Sequence, residues 1–187
     1  MSPLADATQP APTPAPLAAP HPLAPTILDI EASGFGLGSY PIEVGFVTSE
    51  GQPWCSLVRP EPDWQHWDPQ AAMVHGITRE QLVRHGRSPR EIAEVLNTRL
   101  AGQTIYSDAW AHDYAWLARL YDVADCSPHF KLDNLRALLT DAQAATWHEI
   151  KRSVAQRLGL QRHRASADAW VLQQTYLAVQ QGQCAAA

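Results

Sequence analysis

The sequence has no excess of basic residues. Its 187 residues carry 14 Lys and Arg against 19 Asp and Glu, a net charge of -5. That balance excludes a global positive field for a polyanion, so any such partner must be held locally. A cysteine framework is also lacking. Cys55, Cys126 and Cys184 are widely spaced and show no pairing pattern. This excludes a disulfide-stapled scaffold and fits a reducing, cytoplasmic setting. No apolar run approaches the ~20 residues of a membrane span, so no membrane contact is expected. The first residues have neither a basic start nor a continuous apolar core, so they do not read as a signal peptide. There is no internal repeat.

What is present begins with proline. Residues 1–25 hold eight of the 15 prolines and seven alanines, with Asp6 as the one charged side chain. Such a tract lacks helical or strand periodicity and reads as a disordered Pro/Ala-rich tail. Residues 26–182 then form one domain, and residues 183–187 a short C-terminal tail. The domain is long enough to bury a substantial core.

Its pattern predicts a mixed sheet. Residues 26–31 read as a first strand. "PIEVGFVTSEG" and "QPWCSLVRP" read as a hairpin turning at Glu50–Gly51, and "QTIYSD" as a further short strand. Helix starts are marked by capping spacings at Thr78/Gln81, Ser88/Glu91 and Thr140/Gln143. The helix after Ser88 carries Ile92, Val95, Leu96 and Leu100, and Gly102 is its expected end. Residues 111–121 form another, with Tyr114, Leu117 and Tyr121 on one face. The helix after Thr140 carries Trp147, Ile150, Val154 and Leu158, and "SADAWVLQQTYLAVQQ" is the last. Strands first, then helices with a strand between them, imply an α/β sheet flanked by helices. Trp64 and Trp67 lie in a Pro- and Asp-rich stretch read as a loop, where they are candidates for stacking on a ligand.

The unusual residues are acidic. "TILDIEASGFG" places Asp29 and Glu31 two apart in a strand, so they share one face. Two like charges side by side repel, and burying them is costly. A divalent cation removes the problem. Asp113 opens the helix "HDYAWL", and Asp168 opens the last helix, five residues after His163 in "HRASAD". A carboxylate cluster suits magnesium or another hard cation, and a two-metal centre of this kind cleaves phosphodiesters. An imidazole has the chemistry to take the proton of the attacking water.

These motifs, in this order, resemble the DEDD family of 3′–5′ exonucleases in its histidine subclass. This is the group of the polymerase III proofreading subunit and ribonuclease T. "LDIEASGFG" is similar to the first motif, "SDAWAHDYAWL" to the second, and "HRASADA" to the His-x4-Asp third. "VHGITREQL" matches a frequent intervening segment. The resemblance spans residues 26–181 and implies a ribonuclease H-like fold. It implies metal-dependent 3′–5′ exonuclease activity on the 3′ end of single-stranded DNA or RNA. Asp29, Glu31, Asp113 and Asp168 would hold two Mg2+ or Mn2+ ions, with His163 as general base. Backbone from Ala32 through Ser33 to Gly34 would approach the terminal nucleotide, and Phe35 would pack on its base. His75 would lie at the pocket rim. Asp108 departs from the second motif, which often has Asn there, and is not assigned as a ligand.

Blander readings exist for each piece. Asp113 and Asp168 also favour helix N-termini by themselves. His75, His112-Asp113 and Asp168 imitate the order of the HD phosphohydrolases, whose fold is all-helical. A nuclease-like fold that only binds nucleic acid or a protein is the other alternative. Protein partners, a homo-oligomer among them, are left open by the sequence.

Overall fold

A computed structural model describes residues 24–160 and 163–182. Residues 1–23 and 183–187 lie outside it, and with them most of the expected N-terminal tail, the C-terminal tail and Cys184. Five strands form one sheet in the order β3-β2-β1-β4-β5. They are β1 (Ile27–Ala32), β2 (Pro41–Val47), β3 (Pro53–Leu57), β4 (Thr104–Ser107) and β5 (Lys131–Asn134). β1, β2 and β3 pair antiparallel as a meander, and β4 and β5 run parallel to β1. The architecture is a ribonuclease H-like mixed sheet flanked by helices, as the sequence pattern predicts.

Each capping signal read from the sequence opens a helix. Thr78, Ser88 and Thr140 form reciprocal capping boxes for α2 (Arg79–His85), α3 (Pro89–Arg99) and α5 (Asp141–Leu158). Each box satisfies donors that a helix N-terminus otherwise leaves orphaned. α1 (Pro69–His75) is the helix the sequence reading missed. Asp68 caps it by accepting from the Gln70 N–H, and Pro69 stands at its first position. α4 (Trp110–Ala124) and α6 (Ala165–Gln180) have no side-chain cap from their own N-cap residue. β5 was missed because four residues, "KLDN", carry one apolar side chain. Parallel pairing to β4, not local pattern, makes it a strand.

Alternation in β1 divides the core between the two sheet faces. Leu28, Ile30 and Ala32 join α3 and α4 residues, including Leu96, Leu117 and Leu120, in one cluster. Ile27, with Val47, joins Ile150, Val154 and Leu172 of α5 and α6 in the other. Some expectations need correction. Tyr114 is 54% exposed. The buried stripe of α4 runs instead through Asp113, Trp116, Leu117, Leu120 and Tyr121. Trp64 is only 1% exposed and stacks on Tyr40 at 5.1 Å, so it is core and not a stacking platform. Trp67 packs against the same core. α3 ends at Arg99 with Leu100 as its C-cap, short of Gly102.

Ile27, Asp29 and Glu31 share the second face and sit opposite Val47, Gly45 and Glu43. Along β1 this face therefore passes from apolar, through a bare glycine, to charged. The bare position lets α6 approach. A Cβ on Gly45 would lie 2.4 Å from the Ser166 nitrogen and 2.6 Å from the Ala165 carbonyl carbon. Those are backbone atoms, which cannot swing aside. Gly45→Ala is therefore expected to destabilise the fold by about 1–3 kcal/mol, the usual cost of overpacking. Urea denaturation with a single midpoint is the measurement.

Candidate active site

The charged end of that face opens into a cavity of about 560 Å3. This is within the usual size of small-ligand pockets. Asp29, Glu31, His163 and Asp168 line it, together with Ala32, Gly34 and Phe35. Residues separated by more than 130 positions in the chain thus meet at one end of β1. One ligand atom each from Glu31, His163 and Asp168 lie within 4.8 Å of one another. The Asp168 carboxylate also accepts the His163 backbone N–H at 2.9 Å, which ties the ends of the third motif together.

Asp113 stands behind the wall. It is 1% exposed, and its carboxylate accepts from the Ser107 hydroxyl and from the Ile30 N–H. Those bonds fasten the first turn of α4 to β1 and β4. Among neighbouring charges, Asp113 acts most strongly on Asp29.

The other candidates separate in the same way. Ser33 is buried and faces away from the cavity. Its hydroxyl contacts His66 Nδ1 at 3.2 Å and accepts the Tyr40 N–H at 3.1 Å. Gly34 has φ +139°, and a Cβ there would lie 2.6 Å from Asp68 Cβ. Only glycine fits both that backbone and that approach. Phe35 is exposed at the mouth, edge-on to His112 with centroids 5.2 Å apart. His75, expected near the rim, lines the cavity. It is 4% exposed in the cavity wall, its Nδ1 accepts the Ile77 N–H, and its Nε2 has no hydrogen-bond partner among the described residues. Asp108 pairs with Lys151 at 2.6 Å, outside the cavity lining.

Electrostatics bring the site's chemistry into view. Asp29 is pushed well above the ordinary carboxylate range, by burial first and then by Asp113, Glu31 and Asp168. Glu31 rises to about 7, by burial and then by Asp168 and Glu43. Asp113 rises to about 7 by burial, partly opposed by its Ser107 bond. Three acids that burial first, and neighbouring acids second, keep from ionising fit a hard dication, which replaces the protons they would otherwise keep. The donor set of carboxylates with an imidazole beside them suits such an ion.

Sequence reasoning overlooked one group. Glu43, 1% exposed in β2 beside Glu31, holds Arg164 in an ion pair at 2.6 Å. Its signal was available: an acid inside the otherwise apolar strand "PIEVGFV".

No family model matches the chain, and no curated protein matches it. Solved structures do share its fold. Escherichia coli exonuclease I in complex with a dA16 oligonucleotide superposes with a TM-score of 0.66 at 15% identity. That match covers 84% of this chain and 41% of the other. A zinc-bound form of the E. coli enzyme with single-stranded DNA gives 0.66 at 15% identity, covering 84% and 40%. Exonuclease I from Methylocaldum szegediense gives 0.61 at 14% identity, covering 84% and 40%. The chain spans about two-fifths of the length of these proteins. At such identity the likeness defines the fold. The sheet of the chain also sets aside the HD phosphohydrolase alternative, which requires an all-helical domain.

The raised carboxylates carry a consequence for stability. A folded-state pKa above the unfolded value gives stability that is present at low pH and lost as pH rises through the folded value. Metal-free protein should therefore lose melting temperature between pH 5 and pH 8 as Glu31 and Asp113 ionise near 7. His75, lowered by burial, works in the opposite direction and softens the slope. Added Mn2+ should raise the melting temperature more at pH 8 than at pH 5. Asp29→Asn should flatten the metal-free profile. Thermal melts across that pH range check all three.

Proposed function

We propose that this chain is a metal-dependent 3′–5′ exonuclease of the DEDD type, histidine subclass, which hydrolyses terminal phosphodiesters of single-stranded DNA. The observation that carries the reading is the meeting of Asp29, Glu31, Asp168 and His163 in one cavity, with Asp113 buried behind them. Those residues match the three sequence motifs one by one. The fold shared with exonuclease I structures, two of them holding single-stranded DNA, favours DNA over RNA.

In this reading Asp29, Glu31 and Asp168 would hold Mg2+ or Mn2+ from the cavity wall, and Asp113, buried directly behind them, would complete the acid set for two ions. Bound there, the cations supply water activation and neutralise charge on the leaving oxygen. The remaining work belongs to the chain. The His163 imidazole accepts the proton of the attacking water. The His163 N–H, bonded to Asp168, holds the base in register with the carboxylates. Gly34 lets the 32–34 backbone lie close to the terminal nucleotide, and exposed Phe35 offers its ring to the base. A net charge of -5 provides no broad duplex-binding field, so positioning relies on the cavity itself. The non-catalytic alternative differs in one measurable respect: it releases no mononucleotides.

Digestion of end-labelled single-stranded DNA, single-stranded RNA and blunt duplex with Mg2+ or Mn2+ tests the reading. Single-stranded DNA should be shortened from its 3′ end, and faster than the duplex, because splaying a duplex end costs a few kcal/mol. Asp29→Asn and Asp168→Ala should abolish cleavage while the protein stays folded. His163→Ala should slow single-turnover cleavage by roughly 10²–10⁴-fold, the usual worth of a general base. Wild-type rates in any of these variants would reject the assigned role.

A further inference from the structure

Glu43 has no part in the motifs or in the mechanism above, yet it is buried beside the site. It stands directly opposite Glu31 across the β1–β2 pair, on the same face. Two carboxylates so placed would repel, and a buried one without partners is among the costliest groups a protein can hold. Glu43 is fully partnered. Arg164 Nε donates to its Oε1 at 3.2 Å and its Oε2 at 3.1 Å, and Arg164 Nη2 donates to Oε1 at 2.6 Å. The Ala165 N–H donates to Oε2 at 2.8 Å.

These bonds have a particular destination. Arg164 is the N-cap residue of α6 and makes no side-chain cap of its own. Ala165 opens the helix, so its N–H is one of the donors a helix start leaves unsatisfied. Glu43 caps α6 from a strand more than 120 residues away, with the charge sign that a helix N-terminus favours. The residue before Arg164 is His163, held at φ +61°, a conformation unfavourable for a side chain other than glycine. Its N–H reaches forward to the Asp168 carboxylate. One continuous chain of bonds therefore runs from Glu43 through Arg164 and Ala165 to His163 and Asp168.

We propose that Glu43, acting through Arg164, is a positioning residue that presents His163 and Asp168 to the site. This inference rests on the metal-dependent reading of the same cavity. Glu43 is 1% exposed and lies outside the cavity lining. It keeps the turn at His163 in place through Arg164 and Ala165, while Glu31 lines the cavity. Groups that orient metal ligands typically affect metal affinity or activity about 10–100-fold.

The test compares the full chain with Glu43→Gln, Arg164→Gln and the double variant. Mn2+ affinity is measured by titration calorimetry, and kcat and KM on single-stranded DNA are measured separately. Each single variant should weaken Mn2+ binding about 10-fold or more and lower kcat about 10–100-fold, with KM nearly unchanged. The double variant should be no worse than the worse single one, because both break the same link. Glu43→Asp should recover part of the loss. Arg164 is partly exposed, so its substitution keeps the test available if Glu43→Gln fails to fold. Wild-type Mn2+ affinity and kcat in folded Arg164→Gln would overturn the proposal. So would additive losses that merely follow melting temperature. Failure of the wild-type chain to degrade DNA would reject the nuclease reading separately, while the Mn2+ titration would still report on Glu43.

Discussion

The close approach of α6 to β2 at Gly45 is the constraint on which the site depends. Opposite Gly45 stands Asp29, and one pair further along stand Glu31 and Glu43. Because Gly45 has no side chain, the first residues of α6 press onto the sheet backbone there. That contact brings Asp168 and His163 over Asp29 and Glu31. At the other end of the same face, Ile27 and Val47 pack under α5 and α6 and hold the helix down. One apolar pair, one empty position and one charged pair thus form a short ladder that anchors the helix and builds the cavity together.

The carboxylates make this arrangement unfavourable on its own. Desolvation first, and nearby acids second, raise Asp29, Glu31 and Asp113, so the fold carries a local electrostatic cost. The surrounding structure meets that cost residue by residue. Ser107 and the Ile30 N–H stabilise Asp113, and Arg164 with Ala165 stabilises Glu43. Asp29 and Glu31 border the cavity. A pocket lined by acids that resist ionisation is poised for a cation, and this links the fold's local strain to the proposed chemistry.

The loop 33–38 and α1 form the opposite side of the mouth. Ser33 joins them, since its carbonyl accepts the Asp68 N–H at 2.8 Å and its hydroxyl meets His66. Phe35 of that loop and Val74 of α1 stand exposed at the opening. The cavity therefore has an acidic floor and an apolar rim.

Much of this was legible in the amino-acid order. Capping boxes at Thr78, Ser88 and Thr140 are local hydrogen-bond patterns, so spacing alone reveals those helix starts. The pairing of Asp29 with Glu31 follows from strand alternation, and His163 with Asp168 from proximity in sequence. Other features are not local. "KLDN" becomes a strand only by pairing with β4, and the Trp64 loop buries its ring only because Tyr40 lies across from it. Glu43 was visible as a misplaced acid, but its partner is 121 positions away. The sequence by itself determined which acids and which histidine are available and where most elements begin. Tertiary structure decided which of them meet, because charges and close backbone contacts act through space and carry no period along the chain.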